Sequence, residues 1–320
     1  MMRRSVKRVL VAVDGSDSSF NVVRYVGKVL PGDRTQVVLF HVLNRLPESF
    51  WDVHAERGVR HRLLAFSTYR SHQDEVIEEF MERAETLLYE SGYPPKHVRV
   101  RVKERHAGVA RDIIREAGKG YAALALGRRG MSPLKDLVLG STAGKLVHHV
   151  SRIPVWVVGE CPDAGRILIA MDRSDCALRT FDYVTSYLGL VHKELFLFHA
   201  VRQMEGPRPR PRWFVPSVRL MTWLERVRTE TVSCEKEIMQ ALFDRRIRSL
   251  EKLGVDVSRI RTRIVTGVVS RAGAVLAEAE KEDCGTIVLG RKGLSRVQEF
   301  LLGRVCSKVL EKARTRAVWV

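Results

Sequence analysis

Gly127-Arg128-Arg129-Gly130, followed after nine intervening residues by Gly140-Ser141-Thr142, has the residue types and spacing of an anion cradle. It comes directly after the apolar run Ala122–Leu126. Glycines at the carboxyl end of a strand let backbone N–H groups approach a phosphate without a Cβ in the way. Gly140-Ser141-Thr142 then opens an amphipathic stretch, where the free amides and positive dipole end of a helix favour negative charge. The two hydroxyls can cap that helix or bind phosphate oxygen. Asp14 ends the first apolar run of the chain, within Val13-Asp14-Gly15-Ser16. In an open parallel sheet, ligands sit at the carboxyl ends of the central strands. A carboxylate there can hold a ribose hydroxyl or an adenine amine, or cap the helix that follows. Val42, ending the second run, can offer backbone groups and an apolar wall to a base.

The same set occurs twice. Val9–Asp14 returns as Ile167–Asp172, and Phe40-His41-Val42 as Phe198-His199-Ala200. Gly127, Gly130, Gly140 and Trp156 return as Gly290, Gly293, Gly303 and Trp319. A period this long indicates two copies of one domain, since solenoid repeats run to about 20–50 residues. The boundaries read as 1–159, a linker over 160–165, and 166–320. The second copy departs from the first at its site. Arg304 stands in place of the hydroxyl after Gly303, and Asp172-Arg173 in place of Asp14-Gly15. Arg supplies no short oxygen cap, although its guanidinium can pair with phosphate or fill the pocket. Asp172, Ala200, Gly290, Gly293, Gly303 and Arg304 therefore make a weaker second site.

Short apolar runs alternate with longer amphipathic stretches in each copy, the βα pattern of a parallel sheet covered on both faces. Strands are expected near 7–13, 36–43, 97–103, 121–126 and 153–158, and again near 166–171, 194–201, 259–265, 285–289 and 316–320. Helices are expected near 17–29, 70–91, 108–118 and 141–150, then near 175–189, 219–253, 270–282 and 304–313. Asn44–Tyr69 and Arg202–Ser217 read as long loops. Pro154 at the head of the fifth strand implies an edge position. An apolar edge invites pairing, so the two last strands are expected to pair with each other or with those of a second chain.

The 320 residues suit two domains, and the 45% hydrophobic content is that of a soluble globular chain. No apolar run approaches the about 18 residues of a membrane span, and the apolar stretch before Asp14 is too short for a signal peptide. Five cysteines, all after residue 160 and without a CxxC pair, argue against a disulfide framework and a zinc site and point to the cytoplasm. The net charge of +18 is shared, with 26 basic against 18 acidic residues in 1–160 and 29 against 19 in 161–320. Its densest cluster alternates Pro207, Pro209 and Pro211 with Arg208, Arg210 and Arg212, an extended loop that could meet nucleic acid or another polyanion. No aromatic stacking platform accompanies it.

Other patterns carry less. Gly140–Lys145 is one residue short of a P-loop, and Asp14–Asp17 lacks the spacing of a calcium loop. Adjacent His148 and His149 diverge on a helix. His41 and His199 recur inside buried strands, as core imidazoles with a hydrogen-bond partner would. Met221-Thr222-Trp223-Leu224 opens a long helix and reads as core. No Ser-His-Asp or Cys-His set converges on loops.

With these residues in view, both copies resemble the universal stress protein family. Gly127-x2-Gly130-x9-Gly140-Ser141 is similar to that family's ATP-binding motif, G-x2-G-x9-G-(S/T). Val13–Ser16 resembles its opening and Ile153–Val158 its closing strand. The resemblance implies two tandem Rossmann-like α/β domains with sheet order 3-2-1-4-5 and contacts through the fifth strands, within the chain or in a homodimer. It implies ATP, with or without Mg2+, at the strand ends: Asp14 and Val42 near the nucleoside, and Gly127, Gly130, Gly140, Ser141 and Thr142 on the phosphates. The function expected is a nucleotide-responsive regulator read by a protein partner, at most a slow ATPase. A polyanion-binding protein and a nucleotide-free interaction module are the alternatives.

Overall fold

The computed structural model describes residues 6–43, 59–130, 139–160, 164–187, 193–202, 217–252, 254–293 and 302–320, the side chains of 59–73 excepted. Its contacts group into two compact units: Met1–Pro162 with Arg314–Val320, and Asp163–Ala313.

In the first unit, β1 (Lys7–Ala12), β2 (Thr35–Leu43), β3 (Val98–Glu104), β4 (Ala123–Gly127) and β5 (Val155–Val158) alternate with α1 (Asp17–Val29), α2 (Val59–Glu90), α3 (Val109–Ala117) and α4 (Ser141–His149). The strands are parallel and lie in the order β3-β2-β1-β4-β5. Val9, Leu10 and Val11 at its centre have no exposure. That follows from continuous apolar runs, which only a sheet covered on both faces can bury. α2 takes up the last eleven residues of the expected loop, 59–69. Nothing in 59–69 breaks a helix, for the stretch holds neither proline nor glycine. Residues 44–58 lie outside the described set.

The second unit holds β6 (Arg166–Ala170), α5 (Asp175–Tyr187), β7 (Glu194–Arg202), α6 (Val218–Glu251), β8 (Ile260–Val268), α7 (Arg271–Lys281), β9 (Thr286–Leu289) and α8 (Arg304–Lys312). Its strands lie in the order β8-β7-β6-β9, the third, second, first and fourth of their copy. The fifth strand of that copy, β10 (Ala317–Trp319), is grouped with the first unit, antiparallel to β5. Val155 and Val320 exchange backbone hydrogen bonds at 2.9 and 3.0 Å. Gly159 N–H reaches the Arg316 carbonyl at 3.1 Å, and a Cβ on Gly159 would lie 2.8 Å from that oxygen. Trp319 stacks on Trp156 with centroids 4.0 Å apart and planes at 6°. β5 is the edge strand of its own copy, and the pairing expected for the two last strands is found within the chain, where β10 takes the outer side of β5. Pro154 precedes the ladder and lacks only a donor; its carbonyl accepts from Leu124 at 3.0 Å.

The helix carrying Met221 and Trp223 forms as expected, but these side chains are not core: they are 43% and 58% exposed. At 34 residues α6 is about 51 Å long, against about 30 Å for the nine-residue β7 it covers. Its buried residues, Met239, Phe243 and Leu250, all lie in the carboxyl half. Among the described residues no helix is long and apolar enough to cross a membrane.

Strand β3 leaves all but Val98 exposed and carries Arg99, Arg101 and Lys103, a charged edge that discourages pairing with other chains. The inner anchor of this edge is Glu116 on α3, 1% exposed, which receives Lys103 at 3.1 Å, Lys119 at 2.9 Å, Tyr121 at 3.0 Å, and Arg101. The second unit repeats the device with Arg263 and the buried Glu278 at 2.9 Å. Burial alone would raise the Glu116 pKa, but the hydrogen bonds from Lys119, Lys103 and Tyr121 and the charge of Arg101 hold it at about 2, against an ordinary 4.5. A depressed carboxylate adds stability above its unfolded pKa and loses it as the pH falls through the folded one. Glu116→Gln is thus expected to cost on the order of 1–3 kcal/mol at pH 7, the difference from wild type closing between pH 4.5 and pH 2. Urea midpoints measured across that range check this, and a pH-independent difference would refute it.

Candidate nucleotide site

The registers bring the expected residues to one end of each sheet. Ala12 stands opposite both Phe40 and Leu126, so Asp14, Val42 and Gly127 follow side by side at the carboxyl ends of β1, β2 and β4. Ala170 stands likewise between Phe198 and Leu289, which places Asp172, Ala200 and Gly290 in the same way.

Asp14 does not cap α1. Ser16 does, its hydroxyl accepting from Ser19 N–H at 3.2 Å. Asp14 instead accepts from the Ser16 hydroxyl and, at 3.1 Å, from Ser16 N–H. Its other carboxylate oxygen lies where a Cβ of Gly130 would sit, so that glycine is required by close approach. At Gly127 a Cβ would come within 2.5 Å of the Ser18 hydroxyl. Gly140 N–H donates to the Arg128 carbonyl at 2.9 Å, and Arg128 N–H to Val158 at 3.1 Å. The loop between the glycines is thereby tied to β5 on one side and to the start of α4 on the other. Neither Ser141 nor Thr142 caps α4: its cap is Gly140, which lends no side-chain oxygen. Among the described residues no cap side chain accepts from the first amides of that helix, which its own carbonyls cannot reach.

Arg128 is 3% exposed, and burial, followed by the charges of Arg129 and Arg314, lowers its pKa to about 10. It remains a cation at neutral pH, so a full positive charge lies within the motif. Sequence reasoning passed over this residue, although its recurrence as Arg291 was there to be read. It also missed Ser16, whose recurrence as Ser174 marks the cap in both copies.

His41 and His199 are buried imidazoles with partners, as expected. Nδ1 of His41 meets the Val13 carbonyl at 2.8 Å, and Nδ1 of His199 the Met171 carbonyl at 2.7 Å. Each partner immediately precedes the site aspartate, so the histidine pins the strand end that presents it. Burial lowers the His41 pKa, and the neutral ring must then carry its proton on Nδ1 to donate. His41→Leu would leave a buried carbonyl without its donor, and is expected to cost about 1–3 kcal/mol. Chemical denaturation of the full chain measures that, and a loss below about 0.5 kcal/mol would discount the role.

The second copy keeps the cradle. A Cβ on Gly293 would lie 2.8 Å from Asp172, and one on Gly303 3.2 Å from the Arg291 carbonyl. Gly303 N–H donates to that carbonyl at 2.8 Å. Arg304 is exposed in the first turn of α8. The Pro-Arg segment at 207–212 lies outside the described residues, as do 131–138 and 294–300.

Comparison with known proteins follows this geometry. The family model for the universal stress protein family matches residues 5–159 and again 164–320. A universal stress protein of Mycolicibacterium smegmatis is 24% identical over 312 residues, 96% of this chain and 94% of its own length. The solved structure of a universal stress protein from Archaeoglobus fulgidus is 21% identical, covers 98% of both chains and superposes with a TM-score of 0.56. A functionally unknown protein from Pseudomonas aeruginosa PAO1 is 16% identical, covers 99% of this chain and 92% of its own, and gives a TM-score of 0.53. At these identities the two structures speak for the fold alone.

Proposed function

Given that the chain belongs to the universal stress protein family through both of its copies, we propose that it is a cytoplasmic, ATP-binding regulator whose first copy holds the nucleotide. The observation carrying this reading is the cradle at Gly127, Gly130 and Gly140. Two of its glycines exclude a Cβ by close approach, and the helix behind it starts without a side-chain cap. Gly130, Ser141 and Thr142 supply amides and hydroxyls to the phosphates, with or without Mg2+; Gly140, its own amide held by the Arg128 carbonyl, keeps the helix start clear of a side chain, and Arg128 adds the countercharge beneath them. Asp14, held by Ser16 and by the strand end that His41 pins, faces the ribose, while Val42 meets the base. Bound ATP favours one arrangement of the surrounding surface, which a partner protein reads. Such a shift is limited to the difference in ATP affinity between the two arrangements.

The reading is of a binder, with slow hydrolysis as its upper limit. Native mass spectrometry of the gently purified chain should find one ATP per chain, and phosphate release over hours should stay well below one turnover per minute. A chain that neither co-purifies with ATP nor takes it up at millimolar concentration would leave the interaction-module alternative in its place.

A further inference from the structure

The two copies part at the nucleoside end of the cleft. In the first, the β2–β3 register runs unbroken through Val42 and Lys103 to Leu43 and Glu104. In the second it slips between Ala200 and Arg202, and Arg271 donates from Nε to the Ala200 carbonyl at 3.2 Å. Arg271 is the first residue of α7; the first residue of α3, its counterpart, is Val109. The turn after the first strand differs as well. Gly15 has φ +88, whereas Asp283 is the only non-glycine with positive φ among the described residues, so Arg173 leaves β6 by another route.

These differences have a chemical sense. The carbonyl that the first copy can offer to an adenine amine is in the second already engaged by a guanidinium. Arginine is a donor at every nitrogen, and with Nε committed its terminal nitrogens are donors still. The Hoogsteen edge of adenine pairs an acceptor with a donor amine, which a donor pair does not match. That edge of guanine offers two acceptors, O6 and N7, the pair arginine meets bidentately. The phosphate end meanwhile keeps its glycine cradle and gains Arg304, with Lys292 and Arg173 also exposed.

We infer that the second copy is a separate nucleotide site that selects guanine over adenine, with Arg271 reading the base. The inference rests on the strand-end reading of the proposed function, but on different residues. It is tested in the full chain carrying Gly140→Asp, which disables the first cradle, by calorimetric titration with GTP and with ATP. GTP is expected to bind at least tenfold more tightly. Adding Arg271→Val, the residue of the first copy, should remove that preference, and so should Arg271→Lys, which keeps the charge without the fork. Circular dichroism verifies that each variant is folded. Equal or tighter binding of ATP, no binding of either nucleotide, or a preference that survives Arg271→Lys overturns the inference. Failure of the first-copy reading has a different signature, ATP binding that is identical in wild type and Gly140→Asp.

Discussion

Gly140→Asp is expected to leave the protein folded and to lower its ATP affinity more than 100-fold. Gly140 is the cap of α4 and lends that helix no side-chain hydrogen bond. Aspartate is a favoured cap residue, worth a few tenths of a kcal/mol over glycine. The new Cβ would stand 3.3 Å from the Arg128 carbonyl, close enough to require a small adjustment and no more. Stability should therefore change by less than about 1 kcal/mol. Binding is another matter. The added carboxylate takes amides the phosphates need and sets a negative charge against them. At about 4 Å and an effective dielectric constant near 20, one such pair of charges repels by about 4 kcal/mol. Calorimetric titration beside a denaturation curve reads both quantities. A variant that binds ATP within fivefold of wild type would show that the phosphates lie elsewhere. Gly130→Ala is a poorer probe, since its Cβ would meet the Asp14 carboxylate and disturb the fold with the site.

Trp319→Ala is expected to destabilise the first unit by about 3–5 kcal/mol, although Trp319 belongs to the last strand of the second copy of the sequence. Trp319 is 1% exposed and stacks on the fully buried Trp156, and β10 is tied to β5 by the exchange between Val155 and Val320. Removing the indole deletes the largest side chain of β10 and half of the stacked pair. For a unit of this size the loss corresponds to roughly 10 °C in the melting temperature. Hydrogen exchange locates it: amides of Val9–Ala12 and Val155–Val158 should lose protection before those of Ile167–Ile169. The opposite order would mean that β10 supports the second unit instead.

The sequence by itself determined a good deal. Glycine positions are backbone requirements written directly in the chain, so the cradle could be placed between the fourth strand and fourth helix of each copy. Continuous apolar runs specified parallel strands covered on both faces, and the recurrence of His41 as His199 marked a core imidazole. Periodicity, however, states which face of an element is apolar and not what surface lies opposite. It therefore read Met221 and Trp223 as core, where α6 outruns the strand beneath it. Pro154 marked an edge open to pairing, but only the fold chose between its two expected partners, the last strand of the same chain and that of a second one. The placements of Arg128 and Arg271 were hidden for the same reason. Whether an arginine lies buried within a glycine loop or on a strand-end carbonyl depends on contacts distant in sequence, and only the folded chain brings those groups together.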